Sequence, residues 1–229
     1  MTKTFKKPPS VRPLSVRLKT ARGRKVSSQL WLQRQLNDPY VHQAKAMGYR
    51  SRAAFKLLQI NDKVGVFKKG QRVVDLGAAP GGWTQVIVDL VALDQGRAQV
   101  VGIDLLPIDP MPGVAFLEGD FMDPAMQEAV RGLLAGPADV VVSDMAANTT
   151  GSSVADHLRT IALAETAYLF AEKVLRPGGA FIAKVFQGGT DGELLKRLKS
   201  HFDKVRHIKP AASRKGSPEM YVVATGFKL

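Results

Sequence analysis

From Ser51 onward the chain alternates between short apolar runs, typical of buried strands, and longer stretches with the apolar spacing of amphipathic helices. The pattern predicts strands at Arg72–Leu76, Gln99–Leu105, Ala115–Glu118, Asp139–Ser143, Ala180–Phe186, Val205–Lys209 and Met220–Gly226. It predicts helices at Trp83–Leu93, Pro124–Leu134, Val154–Leu175 and Asp191–Phe202. Strands that alternate with helices indicate an α/β domain with a mostly parallel, doubly wound sheet.

Two connections refine this topology. Between the second and third strands, Pro107, Pro110 and Pro112 exclude a long helix. The loop at residues 210–219 is too irregular for a crossover helix, so the last two strands should pair antiparallel. The prediction is a Rossmann-like sheet of seven strands, parallel except for the last.

Two helix starts are predicted ahead of the sheet. Asp38 followed by Pro39 has the residue types of a helix N-cap and first helical position. Ser51 is expected to cap a second short helix that carries Phe55 and Lys56. Both helices should lie against the edge of the domain.

Positive charge is concentrated in the N-terminal part of the chain. Of the formal net charge of +13, residues 1–37 contribute +10 with no Asp or Glu, and the remaining chain contributes +3. We predict a disordered basic arm at residues 1–27 and a catalytic domain at residues 28–229. The arm would contact RNA phosphates, since clustered Lys and Arg release counterions on binding. A solubilising tail and an organelle transit sequence are the alternatives.

Composition excludes several classes of protein. The chain has no cysteine, which rules out disulfides, thiolate metal sites and a cysteine nucleophile. No apolar run reaches the roughly 20 residues that span a bilayer. The histidines show no metal-ligand spacing. We expect a soluble, cytoplasmic monomer that binds neither a metal nor a membrane.

Ionisable residues follow four of the predicted parallel strands, at the edge where ligands bind in open α/β sheets. Asp104 ends the second strand, Asp120 follows the third, Asp144 follows the fourth, and Lys184 lies near the end of the fifth. The first strand contains Asp75. The sequence thus predicts a ligand site along this edge.

The first strand opens into the glycine-rich loop Gly77-Ala78-Ala79-Pro80-Gly81-Gly82-Trp83, whose small residues allow a ligand to approach the backbone. This loop has neither the dinucleotide pattern G-x-G-x-x-G nor the Lys-Ser/Thr ending of a phosphate loop. Asp104 lies 22 residues past Gly82, where an acidic side chain accepts ribose hydroxyls in nucleoside-binding domains. A cofactor with adenosine but no pyrophosphate fits best, which indicates S-adenosylmethionine.

Lys184 is the sharper indication of the reaction. It lies within an apolar strand, where desolvation penalises its charge, so its amine could take a proton from a hydroxyl. A structural lysine that reaches toward solvent is the alternative. If the last strand pairs beside the fifth, Glu219 should face Lys184, with Asp144 on the neighbouring strand.

Five segments together resemble the FtsJ/RrmJ RNA methyltransferases, over nearly all of residues 27–229. They are VVDLGAAPGGW at residues 73–83, DLLP at 104–107, GDF at 119–121, SDM at 143–145 and KVFQG at 184–188. The resemblance implies a Lys-Asp-Lys-Glu catalytic tetrad of Lys56, Asp144, Lys184 and Glu219. One departure is Ala147, where related proteins have proline; we expect it to loosen a loop near the substrate.

The resemblance also implies the contacts of the cofactor. Gly81 and Trp83 would contact it, Asp104 its ribose and Asp120 its adenine, while Asp144 would lie between cofactor and target. Asp75 and Gly77 complete the set of expected cofactor-binding residues.

We therefore expect methyl transfer from S-adenosylmethionine to a ribose 2′-hydroxyl, with Lys184 as general base and Lys56 and the carboxylates positioning it. The resemblance implies a uridine of 23S rRNA in the large ribosomal subunit. The same chemistry on tRNA or an mRNA cap is one alternative. A non-catalytic ribosome-assembly or RNA-binding factor on the same scaffold is the other.

Overall fold

The computed structural model describes residue 23 and residues 26–93, 99–147, 150–187 and 192–229. Most of the predicted arm, residues 1–27, lies outside the described residues. The helices are α1 (Val26–Leu36), α2 (Pro39–Met47), α3 (Ala54–Val64), α4 (Gly82–Val91), α5 (Pro124–Leu133), α6 (Ser153–Val174) and α7 (Glu193–His201). The strands are β1 (Arg72–Leu76), β2 (Gln99–Asp104), β3 (Val114–Glu118), β4 (Ala138–Ser143), β5 (Leu175–Phe186), β6 (Phe202–Ile208) and β7 (Glu219–Phe227).

All seven strands form one sheet in the order β3-β2-β1-β4-β5-β7-β6. β1 to β5 are parallel, and β7 pairs antiparallel with both β5 and β6. The prediction of a mostly parallel sheet with an antiparallel last strand is confirmed. Chain progression reverses direction between β1 and β4, which is the position where open α/β sheets form ligand crevices.

Helices cover both faces of the sheet because successive strand residues point to opposite sides. Helices α5, α6 and α7 pack on one face, where Val74 and Phe181 are buried. Helices α3 and α4 pack on the other, over Val73 and Ile182. Strands buried on both sides explain the short, continuous apolar runs of the sequence.

The helix starts were predicted with mixed success. Asp38 is the N-cap of α2, and its carboxylate accepts from Tyr40 N at 3.0 Å. The prediction for Ser51 was wrong, since α3 begins at Ala54 with Ala53 as N-cap and no side-chain cap. Ser51 Oγ instead accepts from Ala53 N, in the turn before the helix. In addition, α1 begins at Val26, two residues ahead of the predicted domain start.

Two strands begin several residues earlier than predicted from the sequence, because their first residues pair with distant segments of the chain. β5 begins at Leu175, five residues earlier than predicted, because Leu175 pairs with Ala138 across an irregularity in the register. β6 begins at Phe202 because that residue pairs with Phe227. Among the described residues, no helix is long and apolar enough to cross a membrane.

Gly77 provides a test of how tightly the two central strands meet. Its φ is +78°, and an added Cβ would lie 2.8 Å from the Met145 backbone. We expect Gly77→Ala to reduce the free energy of unfolding by about 3 kcal/mol, from backbone strain and overlap. Urea denaturation measures this change.

Gly132→Ala is the matched control, because Gly132 lies in α5 with nothing within 4 Å of an added Cβ. It should stabilise the protein by about 0.5–1 kcal/mol through helix propensity. Equal effects of the two substitutions would contradict the close contact at Gly77.

Candidate active site

The site lies at the carboxyl ends of the central parallel strands. β1 continues into the glycine-rich loop, and β4 continues into Asp144, whose N–H donates to Leu76 O at 3.0 Å. The tetrad residues Lys56, Asp144, Lys184 and Glu219 converge here from α3, the end of β4, β5 and the start of β7. The order of the strands in the sheet thus brings these four side chains, which are far apart in sequence, to the same edge of the sheet.

An apolar cavity of about 260 Å³ opens between the ends of β1, β2, β3 and β4. Its lining includes Gly77, Asp104, Asp120, Met145 and Ala147. The Ala147 departure from the related proteins therefore contributes to this cavity, which was not expected from the sequence. A largely apolar wall with two carboxylates suits a flat heterocycle linked to a sugar.

The two carboxylates of the cavity are held by backbone donors. Asp104 Oδ2 accepts from Ala79 N and Oδ1 from Leu106 N, both at 2.9 Å. Asp120 Oδ1 accepts from Met122 N at 2.9 Å. Each oxygen has a second lone pair, so the fixed carboxylates can also accept hydroxyl or amino groups of a bound nucleoside.

Trp83 has a structural position behind the glycine-rich loop. Its ring is buried, its Nε1 donates to Ala53 O at 2.9 Å, and its centroid lies 5.4 Å from that of Tyr221. The ring therefore joins α3 and α4 to β7 and is not part of the lining of the apolar cavity. Contact of Trp83 and Gly81 with a cofactor stays a prediction.

Asp75 lies within the core beneath the loop and is fully buried. Thr84 Oγ1 donates to its Oδ2 at 2.7 Å, while its Oδ1 has no partner among the described residues. Burial raises the pKa of Asp75 to about 7, opposed by the Thr84 hydrogen bond and reinforced by the charges of Asp144 and Asp104. The structure does not bring this side chain into the cavity lining, so its cofactor role also stays a prediction.

Asp144 is the central acceptor of the tetrad. Lys184 Nζ lies 2.8 Å from its Oδ1 and 2.7 Å from its backbone oxygen, and Lys56 Nζ lies 3.9 Å from Oδ2. Burial alone would raise the pKa of Asp144, but the two ammonium groups and the hydrogen bonds hold it below its usual value. Asp144 is therefore ionised and fixes both lysines.

Glu219 pairs with Lys56, so the expectation that it faces Lys184 was wrong. Lys56 Nζ lies 2.8 Å from Glu219 Oε2, and Ser213 Oγ donates to Oε1 at 2.8 Å. In the β5–β7 register, Glu219 lies opposite Phe186. Glu219 thus lies two residues away from the position opposite Lys184. Lys184 pairs with Asp144, and Glu219 pairs with Lys56.

Tyr221 is a member of the site that the sequence reasoning missed. It lies opposite Lys184 in the β5–β7 register, and its hydroxyl donates to Asp144 Oδ1 at 2.7 Å and accepts from Lys56 Nζ at 3.1 Å. Burial, together with Asp144 and Glu219, raises its pKa well above the ordinary value, so the phenol stays protonated. Its position two residues after Glu219, on the same strand face, was the signal available in the sequence.

A basic cleft of about 500 Å³ adjoins the tetrad and shares no lining residue with the apolar cavity. It is lined by Arg34, Arg52, Lys56, Arg214, Gly216, Ser217 and Glu219. Arg52 is committed internally, since it pairs with Asp38 at 2.8 Å and donates to Ala212 O. Arg34, on α1, and Arg214 are the more exposed cations of the cleft.

The described residues contain no group of three or more His, Cys, Asp or Glu side chains that could hold a metal ion. The tetrad carboxylates are instead satisfied by lysine and hydroxyl donors. That the reaction at this site needs no metal ion remains our prediction.

The fold and the site together define a Rossmann-like methyltransferase. The family model described as FtsJ-like methyltransferase matches residues 49–227, and the chain belongs to this family. The resemblance found in the sequence motifs is thereby confirmed.

Two bacterial relatives named ribosomal RNA large subunit methyltransferase E are similar along nearly their whole length. The protein of Azorhizobium caulinodans is 59% identical over 220 residues, which cover 96% of this chain and 92% of that protein. The protein of Sphingopyxis alaskensis is 62% identical over 215 residues, covering 94% and 92%.

Solved structures of two other proteins share this fold. A ribosomal RNA methyltransferase structure from Plasmodium falciparum matches with a TM-score of 0.69 and 30% identity, covering 78% of this chain and 98% of that one. A fibrillarin/Nop5p complex matches with a TM-score of 0.53 and 18% identity, covering 76% and 83%, and supports the fold alone.

We expect the stability of the protein to fall with rising pH while Asp75 is ionised in the unfolded chain and stays protonated in the folded protein. Its folded pKa is raised, so the folded state holds a proton that the unfolded state has lost, and stability decreases between about pH 4 and pH 7. Asp75→Asn removes this loss. Its free energy of unfolding relative to wild type should rise by roughly 1.4 kcal/mol for each pH unit in that window.

Urea denaturation of both proteins at pH 5 and pH 8 measures the difference. Asp62→Asn, at an exposed position of α3, is the control for introducing an amide. A difference between wild type and Asp75→Asn that is the same at both pH values would contradict the raised pKa.

Tyr221→Phe tests the bridging hydroxyl. The ring and its contact with Trp83 remain, but Lys56 and Asp144 lose their shared partner, so kcat should fall roughly tenfold with little change in the KM for the cofactor. Steady-state methylation kinetics measure both constants.

Tyr168→Phe is a matched control, because Tyr168 is also buried but lies in α6 on the other face of the sheet, bonded to Glu172 and His201. It should alter stability and leave kcat unchanged. An unchanged kcat in Tyr221→Phe would remove Tyr221 from the mechanism.

Proposed function

We propose that this protein transfers a methyl group from S-adenosylmethionine to a ribose 2′-hydroxyl of 23S rRNA, with a uridine as the target. The observation that carries the proposal is the placement of two lysines around the partly buried Asp144, with the basic cleft at Lys56 and the apolar cavity at Met145, the residue after Asp144. Family membership supports the cofactor, and the names of the close relatives support the RNA.

The residues of the apolar cavity fit an adenosine moiety. Asp104 would accept the ribose hydroxyls, and Asp120 would accept the adenine amino group, while the neighbouring apolar side chains cover the ring. Gly77 and Gly81 keep the loop backbone close, and Asp75 supports the loop from below. When bound, S-adenosylmethionine supplies an electrophilic methyl group for in-line attack.

Lys184 is the proposed general base. The ammonium paired with Asp144 in the resting site first passes a proton to solvent. The neutral amine then takes the proton of the 2′-hydroxyl as the oxygen bonds to the methyl carbon and the carbon–sulfur bond breaks, and Asp144 stabilises the re-formed ammonium through Oδ1 and its backbone oxygen. Lys56 neutralises the remaining charge of Asp144 and is itself held by Glu219 and Tyr221. The four charges sum to zero, which limits the cost of burying them.

The basic cleft supports RNA as the substrate. Arg34 and Arg214 line it next to the tetrad, where phosphates flanking the target nucleotide would lie. Helix α1, which carries Arg34, begins at Val26, so the chain ahead of it joins the domain through the helix that lines the cleft. We propose that the arm, residues 1–27, contacts RNA, and that the protein acts as a cytoplasmic monomer without a metal ion.

Lys184→Met tests the base. The substitution keeps an unbranched side chain, one atom shorter than lysine, and leaves Asp144 paired with Lys56, so the fold and cofactor binding should persist. Methylation of rRNA should fall at least about 100-fold. Tritium transfer from labelled S-adenosylmethionine to large ribosomal subunits and to free 23S rRNA measures the rate.

Lys204→Met, at an exposed position of β6, is the control and should retain full activity. A normal rate in Lys184→Met would refute its role as base. Mapping 2′-O-methylation in total RNA with and without the protein then identifies the target. Loss of a mark in tRNA or in a cap would reassign the substrate, and no change in any RNA would favour a non-catalytic assembly factor.

A further inference from the structure

Arg50 connects two loops that border the apolar cavity. Its Nη1 donates to Asp109 O at 2.7 Å and to Pro80 O at 3.4 Å, and its Nη2 donates to Pro110 O at 2.9 Å. Pro80 belongs to the glycine-rich loop, whereas residues 109 and 110 belong to the connection from β2 to β3. One guanidinium thus binds carbonyls of both segments.

The position of this guanidinium is well determined by its surroundings. Arg50 N donates to Gln85 Oε1 at 2.7 Å, and Gln85 Nε2 donates to Gly48 O at 3.1 Å, which ties the residue to α4. An added Cβ on Gly81 would lie 2.7 Å from Arg50 Nη1. The side chain therefore packs directly against the glycine-rich loop.

Asp104 links the same two segments from inside the cavity. Its Oδ2 accepts from Ala79 N in the glycine-rich loop, and its Oδ1 accepts from Leu106 N in the β2–β3 connection. Both segments are irregular, and Pro107, Pro110 and Pro112 in the connection have no N–H to stabilise it. Arg50 is thus the outer tie and Asp104 the inner tie between two loops without regular backbone pairing of their own.

We propose that Arg50 is a positioning residue for the cofactor. It holds the two loops at the separation at which Asp104 can bind a ribose. From its sequence position beside the tetrad, Arg50 would instead be an RNA-phosphate ligand. Its donors, however, are directed at three backbone carbonyls. A planar fork with two terminal nitrogens can span both loops, and a lysine ammonium cannot do so equally well. This inference rests on the proposed use of S-adenosylmethionine.

The experiment compares Arg50→Ala, Arg50→Lys and Arg214→Ala with wild type. Titration calorimetry measures the Kd for S-adenosylhomocysteine, and filter binding measures the Kd for 23S rRNA fragments. Arg50→Ala should weaken S-adenosylhomocysteine binding about tenfold, and Arg50→Lys should weaken it less. Both should raise the KM for S-adenosylmethionine, with kcat and rRNA affinity close to wild type. Arg214→Ala should show the opposite pattern of affinities.

Arg131→Ala, on the exposed surface of α5, controls for the loss of a surface arginine and should change neither affinity. Weaker rRNA binding by Arg50→Ala with an unchanged Kd for S-adenosylhomocysteine would overturn the proposal and make Arg50 an RNA contact. If Arg50→Ala does not fold, Arg50→Lys carries the same test. Failure of the wild-type protein to bind S-adenosylhomocysteine would instead refute the proposed function.

Discussion

The partly buried carboxylate of Asp144 is the group on which the rest of the site depends. It accepts from Lys184 and Tyr221 and lies within reach of Lys56, so three strand ends and one helix are joined through a single side chain. Burying such charges is costly, and well-packed apolar residues would often be as stable. The catalytic role proposed for this neutral network of two lysines and two acids gives a reason for that cost.

The same edge of the sheet carries two cavities, one apolar and one basic. The apolar cavity lies over β1, β2 and β3, and the basic cleft lies beside α3 and the start of β7. The switch in strand order between β1 and β4 creates the space for the apolar cavity, and Asp144 stands at that switch. In the proposed reaction, the apolar cavity would hold the methyl donor and the basic cleft the RNA, with Asp144 near both.

The turn at residues 50–52 stabilises both sides at once. Arg50 binds the loops of the apolar cavity, whereas Arg52 binds Asp38 and the backbone of Ala212 in the loop before β7. The loop before β7 also contains Ser213, whose hydroxyl donates to Glu219. Two arginines separated by one residue therefore serve different halves of the site.

The sequence by itself determined the order of the elements from α2 onward, the Asp38 cap, the glycine-rich loop and the four tetrad residues, because periodicity, turn chemistry and short motifs are local properties of the chain, whereas α1 was not predicted. Only the tertiary structure decided which of these side chains pair with one another. Lys56 pairs with Glu219 across 163 positions and Lys184 with Asp144 across 40. Such pairs follow from sheet order and register, where an offset of two residues changes which side chains meet. For the same reason the bridge at Tyr221 and the tie at Arg50 became visible only in the folded protein.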